Sequence, residues 1–224
     1  MRATRRIPAL LGTVALAVGL ALVPTNAQAV QVVGCSEGAL VNAINAANLI
    51  GGDDLVLAPF CTYTLTLAHS TDGGSGLPDI TTPITLSGIS TQIVRSSTAA
   101  DFRVLKVDGQ GLNSGELKLS GVTVRGGKAA AGQPGGGIAN LGGDVLLVSS
   151  TLRNNEAALG GGLYNETGTA NLAASTVVGN TATTAGGGGG IYEASGSVNL
   201  VTTLVSANSP NNCAPLGSVP FCGV

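Results

Sequence analysis

The sequence has no tryptophan, a single histidine and only 22 charged residues among 224. One imidazole cannot furnish a His-rich metal centre. Ten Lys and Arg against twelve Asp and Glu give a formal charge of −2, which excludes a basic nucleic-acid surface. So few charges also exclude a coiled coil, whose flanking positions depend on them. A hydrophobic content of 44% opposes a solvated, disordered chain. Beyond the first 30 residues no apolar run approaches bilayer length. What is plentiful is glycine: with proline it makes up about a fifth of the chain, high for a packed domain yet below the disordered range.

The chain opens with Arg2, Arg5 and Arg6, an apolar run from Ile7 to Val23, and Ala27-Gln28-Ala29. Charge, hydrophobe and small-x-small in that order read as a secretory signal peptide over 1–29. The rival is an uncleaved anchor, but seventeen apolar residues barely span a bilayer. Removing three arginines leaves seven basic against twelve acidic residues, a charge of −5 with no steering toward DNA or anionic lipid. Four cysteines remain: Cys35, Cys61, Cys213 and Cys222. An even number in an exported chain points to two disulfides, with three possible connectivities.

The second half repeats itself. Leu119-Ser-Gly-Val-Thr-Val-Arg-Gly-Gly127 is followed by Leu147-Val-Ser-Ser-Thr-Leu-Arg-Asn-Asn155, Leu172-Ala-Ala-Ser-Thr-Val-Val-Gly-Asn180 and Leu200-Val-Thr-Thr-Leu-Val-Ser-Ala-Asn208. The leading leucines are 28, 25 and 28 residues apart, a solenoid period. Gly135–Gly137, Gly160–Gly162 and Gly188–Gly190 recur between them. Short apolar runs bounded by Gly, Asn and Ser are strands and turns, and glycine triplets interrupt every helical window.

These features predict an all-β fold: a single-stranded, right-handed parallel β-helix, or pectin-lyase-like solenoid, with a short N-terminal capping helix. Equivalent residues then stack about 4.8 Å apart. Thr123, Thr151 and Thr176 form one column, Val124, Leu152, Val177 and Val205 another, and Asn155, Asn180 and Asn208 an inward amide ladder. Ser36 caps a helix from Glu37 to Asn48 whose apolar face is Leu40, Val41, Ile44 and Ala47. The expected organisation is a signal peptide (1–29), a cap with the amphipathic helix (30–54), coils (55–209) and a disulfide-closed tail (210–224). Several coils separate the cysteines into two groups, and bridged Cα atoms must lie within about 7 Å, so the expected pairs are Cys35–Cys61 and Cys213–Cys222.

Gly136-Gly-Ile138, Gly161-Gly-Leu163 and Gly189-Gly-Ile191 resemble the Gly-Gly-Ala-Ile elements of polymorphic outer membrane protein repeats. Leu152-x-x-Asn155, Val177-x-x-Asn180 and Val205-x-x-Asn208 resemble their Phe-x-x-Asn elements with an aliphatic residue in place of Phe. The segment from Cys35 to Asn48 is similar to the cap of bacterial exported β-helix proteins bearing a Cys-Ser-Leu-Arg-Glu-Ala motif, keeping Cys-Ser and the Ala/Asn-rich helix but not the Leu-Arg-Glu-Ala part. The resemblance implies an exported or cell-surface bacterial β-helix, often adhesive or envelope-associated. The C-terminal barrel of the outer-membrane members has no counterpart after Cys222, so membrane insertion is not carried over. In a bacterial protein Asn165-Glu-Thr167, formally a glycosylation acceptor, reads as a turn.

Chemistry has few candidates. Glycoside hydrolysis needs two facing carboxyl groups about 5–9 Å apart, and Asp101, Asp108, Asp144, Glu156, Glu166 and Glu193 yield no aligned pair on a strand. Glu166 and Glu193 sit at related corners. Asp53, Asp54, Asp72 and Asp79 lie in Gly-rich segments suited to oxygen ligation, so calcium is the one cofactor to consider. His69 reads as a solvent-facing loop residue. Arg125 and Arg153 occupy equivalent positions and stack one coil apart, a pair able to grip a carboxylate or sulfate; the bland alternatives are solvation or pairing with Glu156. The expected function is therefore a secreted or cell-surface, non-enzymatic β-helix in adhesion, envelope structure or glycan contact. Its partner would be extracellular polysaccharide or an envelope component, with no nucleic acid and no membrane span after signal cleavage. A small polysaccharide lyase or hydrolase is the alternative, and a remnant of a larger repeat protein a third. Oligomeric state is left open.

Overall fold

The structure, a computed structural model, describes residues 31–222; the signal-peptide reading over 1–29 lies outside them. The chain begins with β1 (Gln31–Val33) and α1 (Glu37–Ile50). The first turn carries β2 (Asp53–Leu57) and β3 (Thr62–Leu65), the second β4 (Pro83–Arg95) and β5 (Leu105–Asp108), the third β6 (Glu116–Arg125) and β7 (Ile138–Leu141). The fourth has β8 (Asp144–Val148), β9 (Thr151–Arg153), β10 (Glu156–Ala157) and β11 (Leu163–Glu166). The fifth has β12 (Thr169–Ala173), β13 (Thr176–Val178), β14 (Thr181–Ala182) and β15 (Ile191–Glu193). The sixth has β16 (Ser197–Val201), β17 (Leu204–Ser206) and β18 (Cys213–Ala214).

Every ladder is parallel and joins one turn to the next, a parallel β-helix of about six turns. One sheet runs β1-β2-β4-β6-β8-β12-β16, with β3, β9, β13 and β17 as its second arm; the facing sheet runs β18-β15-β11-β7-β5, and β10 pairs β14 on a short third side. The register stacks Leu55, Leu86, Leu119, Leu147, Leu172 and Leu200. It also stacks Val124, Leu152, Val177 and Val205. Strand alternation turns these columns inward, and nearly all of their side chains are buried. Upstream the coils are less regular: Ile84–Leu86 and Ile93–Val94 both lie within the long strand β4, which bends at Ser90 (φ +52°).

Three polar devices shape the turns. At the second-arm corner, Nδ2 of Asn155 donates to Oδ1 of Asn180 (3.0 Å), and Nδ2 of Asn180 to Oδ1 of Asn208 (3.0 Å). The same amides donate to the preceding coil's carbonyls at Val124 and Leu152. Where the column lacks an Asn, the backbone N–H of Gly127 donates to Oδ1 of Asn155 at 2.9 Å, and at the far end Asn208 donates to Asn212. A hydroxyl column lies between the arms: the N–H groups of Val122, Ser150 and Ser175 donate to Ser150, Ser175 and Thr203 of the following coils. It supports Ser149, Ala174 and Thr202, which hold left-handed backbone at the same bend. A second buried amide pair joins Asn140 to Asn165 (2.7 Å), so Asn165 is a core residue and not an exposed turn.

The glycine corner stacks because nothing larger fits. Gly160 has φ +60°, and a Cβ on Gly162 would lie 2.6 Å from the carbonyl oxygen of Gly190 in the next coil.

The helix closes the first turn. Ser36 Oγ accepts from the Ala39 N–H, and Leu40, Val41, Ala43, Ile44 and Ala47 are buried; the helix runs two residues past Asn48 and stops at Gly51 (φ +91°). Asn48 Oδ1 accepts from Thr81 and Thr82, and its Nδ2 donates to the Asp79 carbonyl. Glu37 accepts from Thr66 and Leu67. Cys35 bridges Cys61, and Cys213 bridges Cys222.

Asn180→Ala should cost about 2–4 kcal/mol in urea unfolding, because it strands buried donors on Asn155 and a carbonyl on Leu152. Asn199→Ala, which breaks only an exposed amide contact with Asn171, should change stability by less than about 0.5 kcal/mol. Equal losses would deny the buried ladder its role.

Candidate functional site

β6 and β9 are in register at Val124–Leu152 and Arg125–Arg153. Since Val124 and Leu152 point into the core, alternation turns both guanidinium groups outward, side by side on adjacent strands. They converge on one neutral group: Oε1 of Gln92, on β4, accepts from Nε of Arg125 at 2.8 Å and from a terminal nitrogen of Arg153 at 3.4 Å. Among the described residues neither arginine forms an ion pair. Glu156, the partner the sequence suggested, instead lies 3.7 Å from Lys128.

Arg125 borders a groove of about 600 Å³ with Thr64, Ser96, Ser97, Lys128 and Glu156. Arg95 forms part of its wall but is engaged: it donates to Asp101 at 2.9 Å and to the Ser96 carbonyl, and lies over the Phe102 ring. Gln92 and Lys128 were absent from the sequence reading. No repeat signal marked Gln92, because β4 shifts register between Ser87 and Thr91 before Gln92 pairs with Thr123. Lys128 follows the quoted repeat by one residue.

The acids proposed for calcium do not form one cluster. Asp53 and Asp54 lie on β2 beside Ile84 and Thr85. Asp72 and Asp79 gather elsewhere, around the Lys106 ammonium, each 2.9 Å from Nζ. A lysine thus stands between these two carboxylates. Hydrogen bonding from Ser70, assisted by Lys106 and the Gly74 N–H, holds the Asp72 carboxyl well below its ordinary range. Burial pushes Asp79 up despite the same lysine. Burial works against the Lys106 charge, but hydrogen bonds to both carboxylates outweigh it and raise its pKa. Arg103, buried nearby, is lowered by desolvation, with the fields of Asp72 and Asp79 opposing. The cluster cross-links the loop at 69–79 to β5.

His69 is not solvent-facing as expected: Nε2 lies 3.1 Å from Oε1 of Glu37, joining this loop to the cap helix. Glu166 and Glu193 do not pair either. Glu193 shares a column with buried Asn165, and Glu166, one position along, points the other way and accepts from the Tyr164 hydroxyl. One carboxylate pair escaped the sequence reading. Glu116 and Asp144 are register partners on β6 and β8, both exposed, with Glu116 bordering a smaller groove of about 270 Å³ beside Asp54 and Lys118.

Burial raises the Glu193 carboxyl above its ordinary value, and its Oε2 has no hydrogen-bond partner. The folded protein therefore holds this proton more tightly than the unfolded chain, and stability declines as pH rises above the unfolded carboxylate value. Glu193→Gln should be more stable than the unaltered protein at pH 7 and should lose that advantage near pH 4. Urea unfolding at both pH values reads this directly, and an advantage that did not change with pH would contradict it.

The chain matches no family model, no curated protein and no solved structure.

Proposed function

We propose that the protein is exported and acts at the cell surface or in the envelope as a non-catalytic β-helix that contacts acidic polysaccharide through Arg125 and Arg153. The observation that carries this reading is the stacked guanidinium pair whose described partner is a neutral carboxamide. Two like charges on adjacent strands repel, and an anion placed across them relieves the repulsion with charge-assisted hydrogen bonds. Thr64, Ser96 and Ser97 line the adjoining groove with hydroxyls suited to sugar. Export is supported by the charge, hydrophobe and small-residue order of the first 29 residues and by two disulfides, which belong to an oxidising compartment. Among the described residues no helix is long and apolar enough to cross a membrane. The likeness to polymorphic outer membrane protein repeats agrees with a surface role.

One observation favours the alternative of a small glycoside hydrolase: the side-by-side carboxylates of Glu116 and Asp144. Both are exposed and neither receives a side-chain hydrogen bond among the described residues, whereas paired catalytic acids need environments that separate their protonation.

The test is a titration of the oxidised protein against uronate-bearing, sulfated and neutral polysaccharides, with product analysis alongside. Binding to the acidic polymers should weaken with added salt, and Arg125→Gln with Arg153→Gln should reduce affinity about tenfold or more. Polymer cleavage abolished by Glu116→Gln or Asp144→Asn would replace this reading with the hydrolase. Equal affinity for neutral and acidic polymers would remove the arginines from the account.

A further inference from the structure

The two ends of the β-helix are finished differently. At the first turn α1 covers the core and is tied down by Glu37, Asn48 and the Cys35–Cys61 bridge. At the sixth turn the segment after Ser206 closes only part of the end. β18 continues the facing sheet below β15, Asn212 ends the buried amide column, and Val219 packs into the core. Pro210, Pro215 and Pro220 on this side interrupt further strand pairing.

Among the described residues the other part of the end is uncovered. β16 and β17 together offer an almost continuous edge from Ser197 to Ser206 that, among the described residues, is paired on one side only, to β12 and β13. Natural edges of this length carry lysine, another charge or proline to prevent pairing; this one carries none. Glu193 is the single charged residue from Thr167 to Val224. Val201 and Leu204 on the edge are 61% and 58% exposed, and Leu216 and Phe221 on the adjoining segment are 87% and 94% exposed. Leu216 and Phe221 also line a groove of about 580 Å³ within the segment from Ala207 to Cys222.

We infer that this end is a self-association surface: two copies meet tail to tail through the β16–β17 edge, with Leu216 and Phe221 completing the contact. The occupant follows from the charge. A surface without charged side chains has nothing with which to orient a charged partner, but it meets its own copy without like-charge repulsion. An isologous contact buries the same aliphatic patch from both sides and joins two open edges at once. The edge backbone gains partners, as a seventh turn would supply, and Val201 and Leu204 leave water together. The surface lies on the last turn and the arginine groove on the first to fourth, so each can fail without the other.

The experiment is sedimentation velocity of the oxidised protein across a concentration series, repeated on Val201→Lys with Leu204→Lys. Leu112→Lys, at an exposed site on a distant loop, is the control. The unaltered protein and the control should form a concentration-dependent dimer, and the double variant should remain monomeric with unchanged circular dichroism. On the unaltered protein, hydrogen exchange of the amides from 198 to 206 should slow at least fivefold on going from dilute to concentrated solution. A monomer throughout, a dimer indifferent to both lysines, or open-ended polymers would overturn the inference. If the double variant unfolds, the exchange measurement decides alone: concentration-independent rates at 198–206 refute it.

Discussion

The fold depends on the buried column Asn155–Asn180–Asn208, because it is the contact that admits only one register. Apolar columns tolerate a shifted neighbour at modest cost. An amide that accepts from the coil before it and donates to the coils on both sides has no such latitude. Once the amides are aligned, Leu119, Leu147, Leu172 and Leu200 fall into one inward column and the glycine triplets into another. The hydroxyl column through Ser150, Ser175 and Thr203 works in the same way at the next bend. It supplies hydrogen bonds where Ser149, Ala174 and Thr202 adopt a backbone that side chains disfavour.

That constraint explains what was readable from the chain. From Leu119 onward each coil repeats the pattern of its neighbour, so aligning residues in sequence amounts to stacking them in space. The Thr, Val/Leu and Arg columns could be read on that basis. Asn140 and Asn165 were visible at the ends of the glycine elements, but nothing local separates a buried amide from a turn amide; only the opposing strand decides it. The Glu116–Asp144 pair lies three residues before the aligned leucines and appears once the same frame is carried that far back. Before Leu119 the frame is irregular. Ile93, the register partner of Val124, follows Leu86 by seven residues, whereas Val124 follows Leu119 by five and Leu152 follows Leu147 by five. No period links Asp72 and Asp79 to Lys106, and none links His69 to Glu37, so these contacts required the three-dimensional structure.

Stacking also governs the charges. A parallel β-helix places each residue beside its counterpart, so a charge repeated in consecutive coils is set against itself. Two solutions appear here. In the irregular coils, acids and bases from different segments converge and neutralise one another, as Asp72 and Asp79 do around Lys106. In the regular coils Arg125 and Arg153 remain adjacent, buffered among the described residues by the shared oxygen of Gln92. A purely structural requirement is better served by the valine and serine that occupy the same column in the next two coils, Val178 and Ser206. The arginines therefore represent a local departure from what the stack needs, which is where a binding role is most reasonably sought.

The disappearance of charge toward the sixth turn has the opposite consequence. A charged side chain on a solenoid end serves to keep edges apart, at the expense of any contact there. The first turn spends a helix, a disulfide and several side-chain hydrogen bonds on covering its end. The last turn uses a disulfide-held segment on one side and leaves the β16–β17 side with aliphatic residues facing water. Hydrophobic burial is non-directional, and edge pairing is sequence-tolerant. Together they give a surface whose selectivity depends on shape and on the absence of repulsion, not on matched charges. A single lysine in that edge is thus a larger change to the molecule's surface than the same lysine in the charged early coils.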